Sequence, residues 1–240
     1  MAEYIMKRGD VIRYVDMTIS EGFSIQHGMN YNVNNRNYCI VLMSVRNNAP
    51  YSDRFEDNGT TIIYEGHDIQ VNYVVDGRNP KDIDQPMTTP SGSLTENGKF
   101  FHMAQQYRQG MSIKNVKVYE KIKPGIWVYN GFFILTDAWL EQAGNRNVFK
   151  FKLEMLEDET ISGEDSDPTV FELEHNRLIP TSVKVEVWQR DKGKCVKCGS
   201  NINLHYDHII PFSKGGSSTT SANIQLLCAH CNLQKHDNIE

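Results

Sequence analysis

Residues 195–235 read CVKCGSNINLHYDHIIPFSKGGSSTTSANIQLLCAHCNLQK, and a Cys-x-x-Cys pair stands near each end of this stretch. The cysteines are Cys195, Cys198, Cys228 and Cys231. Four thiolates in two such pairs suit a closed tetrahedral Zn²⁺ site, which a short segment needs because it has little core of its own. The gap between the pairs is longer than in a common zinc ribbon. We therefore predict a structural zinc site that encloses a second element, DHIIPFSKGG at residues 207–216.

The order of motifs in this stretch resembles the HNH, or ββα-metal, nuclease family. That family's pattern is a cysteine knuckle, a strand ending in Asp-His-Ile-x-Pro, a Gly-Gly loop, an Asn before an apolar run, and a second knuckle on a helix. Every part is present in order. The residue types suit phosphodiester hydrolysis: a neutral imidazole is a base for water near pH 7. Carboxylate and amide oxygens suit a hard catalytic cation such as Mg²⁺ or Mn²⁺.

The resemblance implies a role for each residue that matches the motif. His208 would be the general base and Asp207 a ligand of the catalytic cation. Asn223, the middle letter of the motif, would orient the loop that carries His208. Asn232 stands at the third position in place of His and would be the second cation ligand. His236 lies four residues further on the same helical face, where it would contact the phosphate or substitute as a ligand.

Other interpretations of these residues stay open. The cysteines alone would fit a purely structural zinc knuckle in a binding module, and Asp207 with His208 would fit a satisfied polar pair. Gly215-Gly216 fits an ordinary turn as well as a tight loop that lets backbone approach a phosphate. The combination with Asn223 and Asn232 at the family spacing favours the nuclease.

Length and composition allow a soluble globular chain of one or two domains. The chain has 240 residues, ordinary apolar and charged fractions, and no apolar run long enough to span a membrane. Its start, MAEYIMKRGD, lacks the apolar core of a signal peptide. Four of five cysteines are assigned to zinc, so we expect a reducing cytoplasm, bacterial or archaeal. Cys39 lies in the strand-like run NYCIVLM and reads as a buried structural thiol.

The charge distribution matters more than the net charge of −5, which is atypical of a nucleic-acid binder. Residues 153–174 contain many carboxylates and no Lys or Arg, whereas the chain from Thr181 onward is slightly basic. The acidic stretch reads as a solvated linker. We expect modest non-specific DNA affinity, with specificity arising elsewhere.

The N-terminal part is rich in strand patterns. Strands are predicted at NYCIVLMSV, at TTIIYEGHD with its end at Gly66, and at VKVYEKI, GIWVYNGFFILTDAWLE and VFKFKLEML, the fourth divided by a turn at Tyr129-Asn130-Gly131. Residues 76–97 read as a long surface loop and NGKFFHMAQQYRQG as a short helix ended by Gly110. Residue chemistry alone leaves this part a β-barrel or sandwich of unknown purpose.

The same segments, across residues 9–155, resemble the SRA (SET- and RING-associated) domain family. Shared features are the Tyr-x-Gly pair at Tyr64-Glu65-Gly66, and Tyr129-Asn130-Gly131 in place of Tyr-Asp-Gly before a strand that ends at Trp139. SRA domains flip a modified cytosine out of the duplex into an aromatic pocket. The candidates in the matching segment are Tyr38, Tyr51, Asp53, Phe55 and Tyr64. We favour Tyr51 and Asp53, which lie in a polar loop, because Tyr38 and Tyr64 flank strands and also read as core.

We therefore predict an α+β protein. An SRA-like (PUA-like) β-barrel domain would span residues 1–160, an acidic linker 161–182, and a zinc-stabilised ββα-metal (HNH) domain 183–240. The resemblances imply a type IV-like restriction endonuclease that cleaves double-stranded DNA carrying 5-methyl- or 5-hydroxymethylcytosine. Cleavage of both strands with one active site per chain favours a homodimer. Open alternatives are an HNH nuclease that reads unmodified sequence or another modification, a non-catalytic DNA-binding protein, and an RNA-directed nuclease.

Overall fold

The computed structural model describes residues 6–34, 36–156 and 178–235, which form ten strands and four α-helices in two sheets. The predicted α+β class is confirmed. The larger sheet contains β1 Val11–Arg13, β2 Met29–Asn30, β3 Tyr38–Met43, β4 Arg54–Glu56, β5 Thr61–Glu65, β6 Asn115–Lys123, β7 Ile126–Ala143 and β8 Arg146–Met155. Helices α1 Tyr14–Glu21 and α2 Glu96–Arg108 belong to the same part of the chain.

The larger sheet has the order β2-β3-β6-β7-β8-β5-β4, and β1 pairs beside β7. Strand β3 is parallel to β6, whereas the other pairs in the described residues are antiparallel. The long strand β7 has three neighbours: its first half pairs with β1 and β6, and its second half pairs with β8. The register shifts along the pairings with β6 and β8, which bends the sheet.

The apolar runs that predicted strands also supply the main core. Strand β3 has the sequence YCIVLM, and Cys39, Val41 and Met43 are buried on its inner face. Helix α2 packs Phe100 and Met103 against the same core. The buried position of Cys39 agrees with its interpretation as a structural thiol.

The predicted turn at Tyr129-Asn130-Gly131 is wrong, because β7 runs through these residues without a break. The register with β6 shifts between Val118 and Tyr119, opposite this site. Gly131 has a φ of 99°, a conformation that β-bulges use and that favours glycine. Turn-like residues therefore mark a bulge, and the side chain of Asn130 points into a buried contact with Glu120.

The C-terminal part is a small hairpin between helices. Helix α3 Thr181–Arg190 precedes the first cysteine pair, as predicted from VEVWQRD. Strands β9 Leu204–His208 and β10 Ile224–Cys228 pair in an antiparallel register, and α4 Ala229–Lys235 follows directly. Residues 178–180, assigned to the linker from sequence, include the buried Leu178 and Ile179. Residues 161–177 of the predicted acidic linker lie outside the described residues.

The predicted loop, residues 76–97, is part of a longer connection at residues 66–95 that has two short 3₁₀ turns and little other regular structure, and α2 already begins at Glu96. Thr95 caps α2, since its hydroxyl oxygen accepts a hydrogen bond from Gly98 N–H, while its hydroxyl proton is donated to the Pro86 carbonyl. In the described ranges no helix has the length and apolar character needed to cross a membrane.

Candidate functional site

The two cysteine pairs converge at one point. The Sγ atoms of Cys195, Cys198, Cys228 and Cys231 all lie within 4.8 Å of one another. The turn after Cys195 closes with a hydrogen bond from Gly199 N to its carbonyl, and Gly199 has a φ of 75°. Tetrahedral Zn–S bonds of about 2.3 Å place sulfurs about 3.8 Å apart. The four-thiolate donor set therefore fits a structural Zn²⁺.

His208 is the last residue of β9, and its ring is held from one side by a hydroxyl. Its Nε2 lies 2.9 Å from Ser218 Oγ, and Ser218 is buried. Phe212 contacts the ring edge-on, with centroids 6.0 Å apart. A half-buried imidazole with a fixed orientation is suited to accept a proton from a positioned water.

Asn223 holds the loop that follows His208. Its Oδ1 accepts a hydrogen bond from Ile210 N, and its Nδ2 donates to the carbonyls of Ile210 and Ser217. Its own carbonyl accepts from Ile209 N. These contacts are what the predicted orienting role requires. A Cβ added at Gly216 would lie 1.8 Å from the Ile210 carbonyl oxygen, so the loop closes only with glycine there.

Asp207 is paired with a buried lysine. Lys235 Nζ lies 2.9 Å from Asp207 Oδ2 and also donates to the His208 carbonyl. Gln225, the cross-strand neighbour of Asp207, donates to the same Oδ2 at 3.2 Å. The carboxylate is thus fixed at the strand end, and carboxylate oxygens have enough lone pairs to bind a cation as well.

The third motif position lies on the helix beside these groups. Asn232 directly follows the zinc cysteine Cys231 in α4 and is half-buried. Asp207 and Asn232 carry oxygen atoms, the donor type that Mg²⁺ and Mn²⁺ prefer, and their role as cation ligands stays a prediction. His236, the further candidate, lies outside the described residues.

A second site is a cavity of about 750 Å³ in the N-terminal part. It opens between the chain before β2, the start of the β5–α2 loop and the N-terminal end of α2. The residues that shape it most directly are Gly28, Tyr51, His67, Asp68, Asn97 and Lys99. Tyr51 and His67 lie nearly parallel, with ring centroids 5.8 Å apart, and form an aromatic wall.

Hydrogen bonds connect the residues that line the cavity to the backbone of the fold. Asn97 accepts a hydrogen bond from His67 N and donates to His67 O, both at 2.8 Å. Gln85 likewise bridges the Gly66 carbonyl and Phe149 N. A Cβ at Gly28 would lie 2.6 Å from the Tyr64 hydroxyl oxygen, so glycine permits the close approach that shapes the wall. The site is therefore built before any ligand arrives.

Burial and neighbouring groups determine the charge states of Asp68 and His67 in the cavity. Burial alone would raise the pKa of Asp68, but hydrogen bonds from Lys81 and Arg146 outweigh it and lower the pKa. Burial, with His27 adding to it, lowers the pKa of His67 to about 4. At neutral pH the cavity therefore presents a carboxylate and a neutral imidazole beside an aromatic ring.

Of the five base-pocket candidates, the cavity lining includes Tyr51. Tyr38 donates its hydroxyl proton to buried Glu21, and Phe55 packs against the main core. Tyr64 is buried in that core, with its hydroxyl oxygen 3.4 Å from His67 Nε2. Asp53 is half-buried, and its carboxylate accepts hydrogen bonds from the backbone nitrogens of Ser44 and Glu65, so it is held by the frame of the fold.

We expect Asp53→Asn to destabilise the fold without changing ligand selectivity. An amide has one acceptor oxygen, so one of the two backbone N–H groups that Asp53 satisfies would face an NH₂ group. Such a loss costs about 1–3 kcal/mol. Thermal unfolding should show a lower midpoint. An unchanged midpoint together with lost selectivity would instead place Asp53 in ligand binding.

Sequence reasoning missed several residues at both sites. Lys235 lies three residues beyond Asn232 on one helix, a spacing that places both on neighbouring positions of one face. His67 and Asp68 directly follow the predicted strand TTIIYEG, and residues that follow a strand lie at the edge of the sheet, where cavities open. Asn97 had no signal of its own, because its role depends on the backbone of His67, thirty residues away.

Comparison with known proteins identifies the C-terminal part. Residues 195–238 match the family model described as HNH endonuclease. The C-terminal module is an HNH domain. No curated protein matches this chain.

Solved structures resemble the N-terminal module at low identity. The SUVH5 SRA complex with methylated CHH DNA has 19% identity and a TM-score of 0.44, covering 63% of this chain and 89% of that one. The SUVH5 SRA complex with hemi-methylated CG DNA has 22% identity and a TM-score of 0.43, covering 68% and 94%. Arabidopsis thaliana SUVH6 in complex with SAM has 20% identity and a TM-score of 0.36, covering 70% and 28%.

Proposed function

We propose that this protein is a modification-dependent DNA endonuclease. Its N-terminal module would bind a modified cytosine, 5-methyl or 5-hydroxymethyl, that has been flipped out of the duplex. Its HNH domain would hydrolyse a phosphodiester of the same DNA. The proposal joins the HNH family match at residues 195–238 to the preformed cavity in the other module.

The cavity is the observation that carries the reader function. Its volume of about 750 Å³ lies within the range of roughly 300–1,000 Å³ typical of ligand pockets. Tyr51 and His67 supply aromatic rings for a planar base, with Lys81 Nζ 3.8 Å from the Tyr51 ring centroid, and Asp68 is an ionised acceptor for an exocyclic amine. Cytosine has such an amine. A pocket of this type can receive a base only after the base leaves the stack.

An exposed apolar loop beside the cavity supports the same function. Ile69, Gln70 and Tyr73 line the cavity, and between and beyond them Val71 and Val75 are 75% and 99% exposed. Apolar side chains exposed together beside a pocket mark an interaction surface. In proteins that distort DNA, apolar side chains enter the base stack as wedges. This loop would fill the space that the flipped base vacates.

The HNH residues would carry out hydrolysis. A bound Mg²⁺ or Mn²⁺, held by Asp207 and Asn232, would supply positive charge to the phosphate. His208 would take the proton of the attacking water, with Ser218 fixing its ring. Asn223 would keep the loop after His208 in place. The Zn²⁺ held by the four cysteines would support the fold and take no part in the chemistry.

Cellular context and assembly belong to the proposal as well. A duplex has two strands and each chain has one HNH site, so double-strand cleavage favours a homodimer. The enzyme would act as a type IV-like restriction endonuclease in a bacterial or archaeal cytoplasm. Sedimentation of the protein on a modified duplex would measure the number of chains bound.

A non-catalytic DNA-binding function is the second candidate. Lys235 forms an ion pair with Asp207 in the described structure. A purely structural ion pair, with no catalytic role for Asp207, would have the same geometry. A catalytic protein cleaves DNA only when Mg²⁺ or Mn²⁺ is added. A binding protein leaves DNA intact under every cation.

The reader function is tested by binding without cleavage. His208→Ala protein would be titrated onto one duplex sequence prepared unmodified, 5-methylated, 5-hydroxymethylated and glucosylated at a single cytosine. The proposal predicts tighter binding to 5-methyl or 5-hydroxymethyl DNA than to the unmodified duplex. Equal affinity for all four would contradict it, and preference for the glucosylated duplex alone would change the modification that is read.

Tyr51→Ala is expected to weaken selective binding. A stacked aromatic contact with a base contributes about 1–3 kcal/mol, or roughly 5- to 150-fold in affinity. The loss should appear on the modified duplex and be small on the unmodified one. Tyr107→Ala, a partly exposed tyrosine in the last turn of α2 and outside the cavity lining, is the matched control. Equal loss on both duplexes would remove Tyr51 from base binding.

A further inference from the structure

The HNH domain and the larger sheet share one apolar cluster. Ile122 of β6 and Val128 of β7 pack in it together with Val187 of α3 and with Tyr206 and Leu226 of the HNH hairpin. All five side chains are buried. Separating the two modules would expose apolar surface on both, so their contact is stabilised by burial.

A buried polar cluster lies at the same interface. Lys184 of α3 and Glu120 of β6 form an ion pair of 2.7 Å, with side-chain exposures of 3% and 0%. Lys184 also donates to Asn130 Oδ1, and Asn130 Nδ2 donates to Glu120. The Thr181 hydroxyl donates to the other carboxylate oxygen. A buried charge without its partner is costly, so this cluster favours one relative placement of α3 and the sheet.

Backbone contacts extend the connection to the strand that carries His208. Gly9 donates to the carbonyl of Tyr129 in β7, and its own carbonyl accepts from Tyr206 N in β9. Asp10 bridges to His205, with His205 Nδ1 and Asp10 Oδ1 2.8 Å apart. Two residues thus join the larger sheet to the strand whose last two residues are Asp207 and His208.

The connecting chain alone would permit far more freedom. Residues 157–177 could span roughly 70 Å if extended at about 3.4 Å per residue. That reach corresponds to roughly 20 base pairs at about 3.4 Å per nucleotide along a strand. A nuclease held only by this tether would cut at many distances from the recognised base.

We infer that the interface, not the tether, sets where the DNA is cut. The HNH domain is held at one distance from the cavity, so cleavage falls at one offset from the modified base. Glu120, Lys184 and Asn130 are positioning residues for that offset. This inference rests on the proposed function, because it needs one module to bind the base and the other to cut.

An insertion variant tests the inference without disturbing either module. Twelve Gly/Ser residues would be inserted after Gly163, and cleavage of a long duplex with one modified cytosine would be mapped by sequencing the product ends. Wild type and insertion variant are expected to cut at the same position. A shifted or widened set of cut sites in the insertion variant would overturn the inference.

A substitution at the interface supplies the complementary result. Lys184→Met should spread the cuts over neighbouring phosphodiesters while selectivity for the modified duplex is retained. Lys194→Met, an exposed lysine of the same module, should keep the wild-type position. If Lys184→Met cuts at the wild-type position, the polar cluster has no positioning role. If wild type cuts no duplex at all, the proposed function fails instead.

Discussion

Replacing His208 with alanine is expected to abolish cleavage and leave DNA binding unchanged. His208 ends β9, beside the strand position that holds Asp207, and Ser218 and Phe212 fix its ring. A positioned general base contributes about 10²- to 10⁴-fold to rate. Single-turnover cleavage of a modified duplex should therefore slow by about that factor. The affinity for the same duplex, measured without added cation, should match that of wild type.

The control for this substitution is His102→Ala. His102 is an exposed histidine of α2 and contributes to neither candidate site. The His102→Ala protein should cleave at the wild-type rate. If His208→Ala retains wild-type cleavage, His208 is not the base, and the HNH site would have to act through another group.

Replacing Cys228 with serine is expected to unfold the HNH domain. Cys228 is one of four thiolates that lie within 4.8 Å of one another. Structural Zn²⁺ contributes about 10–16 kcal/mol to the folding of small zinc domains, and a neutral hydroxyl replaces the thiolate poorly. Zinc content should fall well below that of wild type, and cleavage should be lost. The larger sheet should also melt at a lower temperature, because Ile122 and Val128 would lose their apolar partners.

Cys39→Ser is the matched control, because Cys39 is buried in β3 and lies outside the four-cysteine cluster. It should lower the melting temperature of the larger sheet and retain the wild-type zinc content. A Cys228→Ser protein with wild-type zinc content and melting would refute the four-cysteine site.

Features encoded by local spacing could be predicted from the sequence. The two Cys-x-x-Cys pairs predicted a cluster that the structure contains, since each pair brings its thiolates together by a tight turn. The apolar runs predicted strands β3, β5 and β8, because continuous apolar residues are buried in the core of a sheet. The contacts of Asn223 agree with the role that its motif position implied.

Features that depend on distant partners could not be predicted. Tyr129-Asn130-Gly131 contains residue types that turns favour. The pairing of these residues with β6, which the sequence does not show, makes the site a β-bulge. Asp53 lies in a polar stretch that predicts an exposed loop, yet two backbone N–H groups donate hydrogen bonds to its carboxylate. Lys184 looks like one more basic residue of the C-terminal part, and its partner Glu120 lies 64 residues earlier in the chain.

The most direct test is cleavage of one duplex prepared unmodified, 5-methylated and 5-hydroxymethylated at cytosine, with Mg²⁺ or Mn²⁺ added. A modified duplex should be cut and the unmodified duplex should stay intact, since the cavity binds the modified base and the HNH domain cuts nearby. Equal cutting of all three duplexes would contradict the reader function of the cavity and leave the nuclease. Intact DNA in every sample, at wild-type zinc content, would contradict the nuclease.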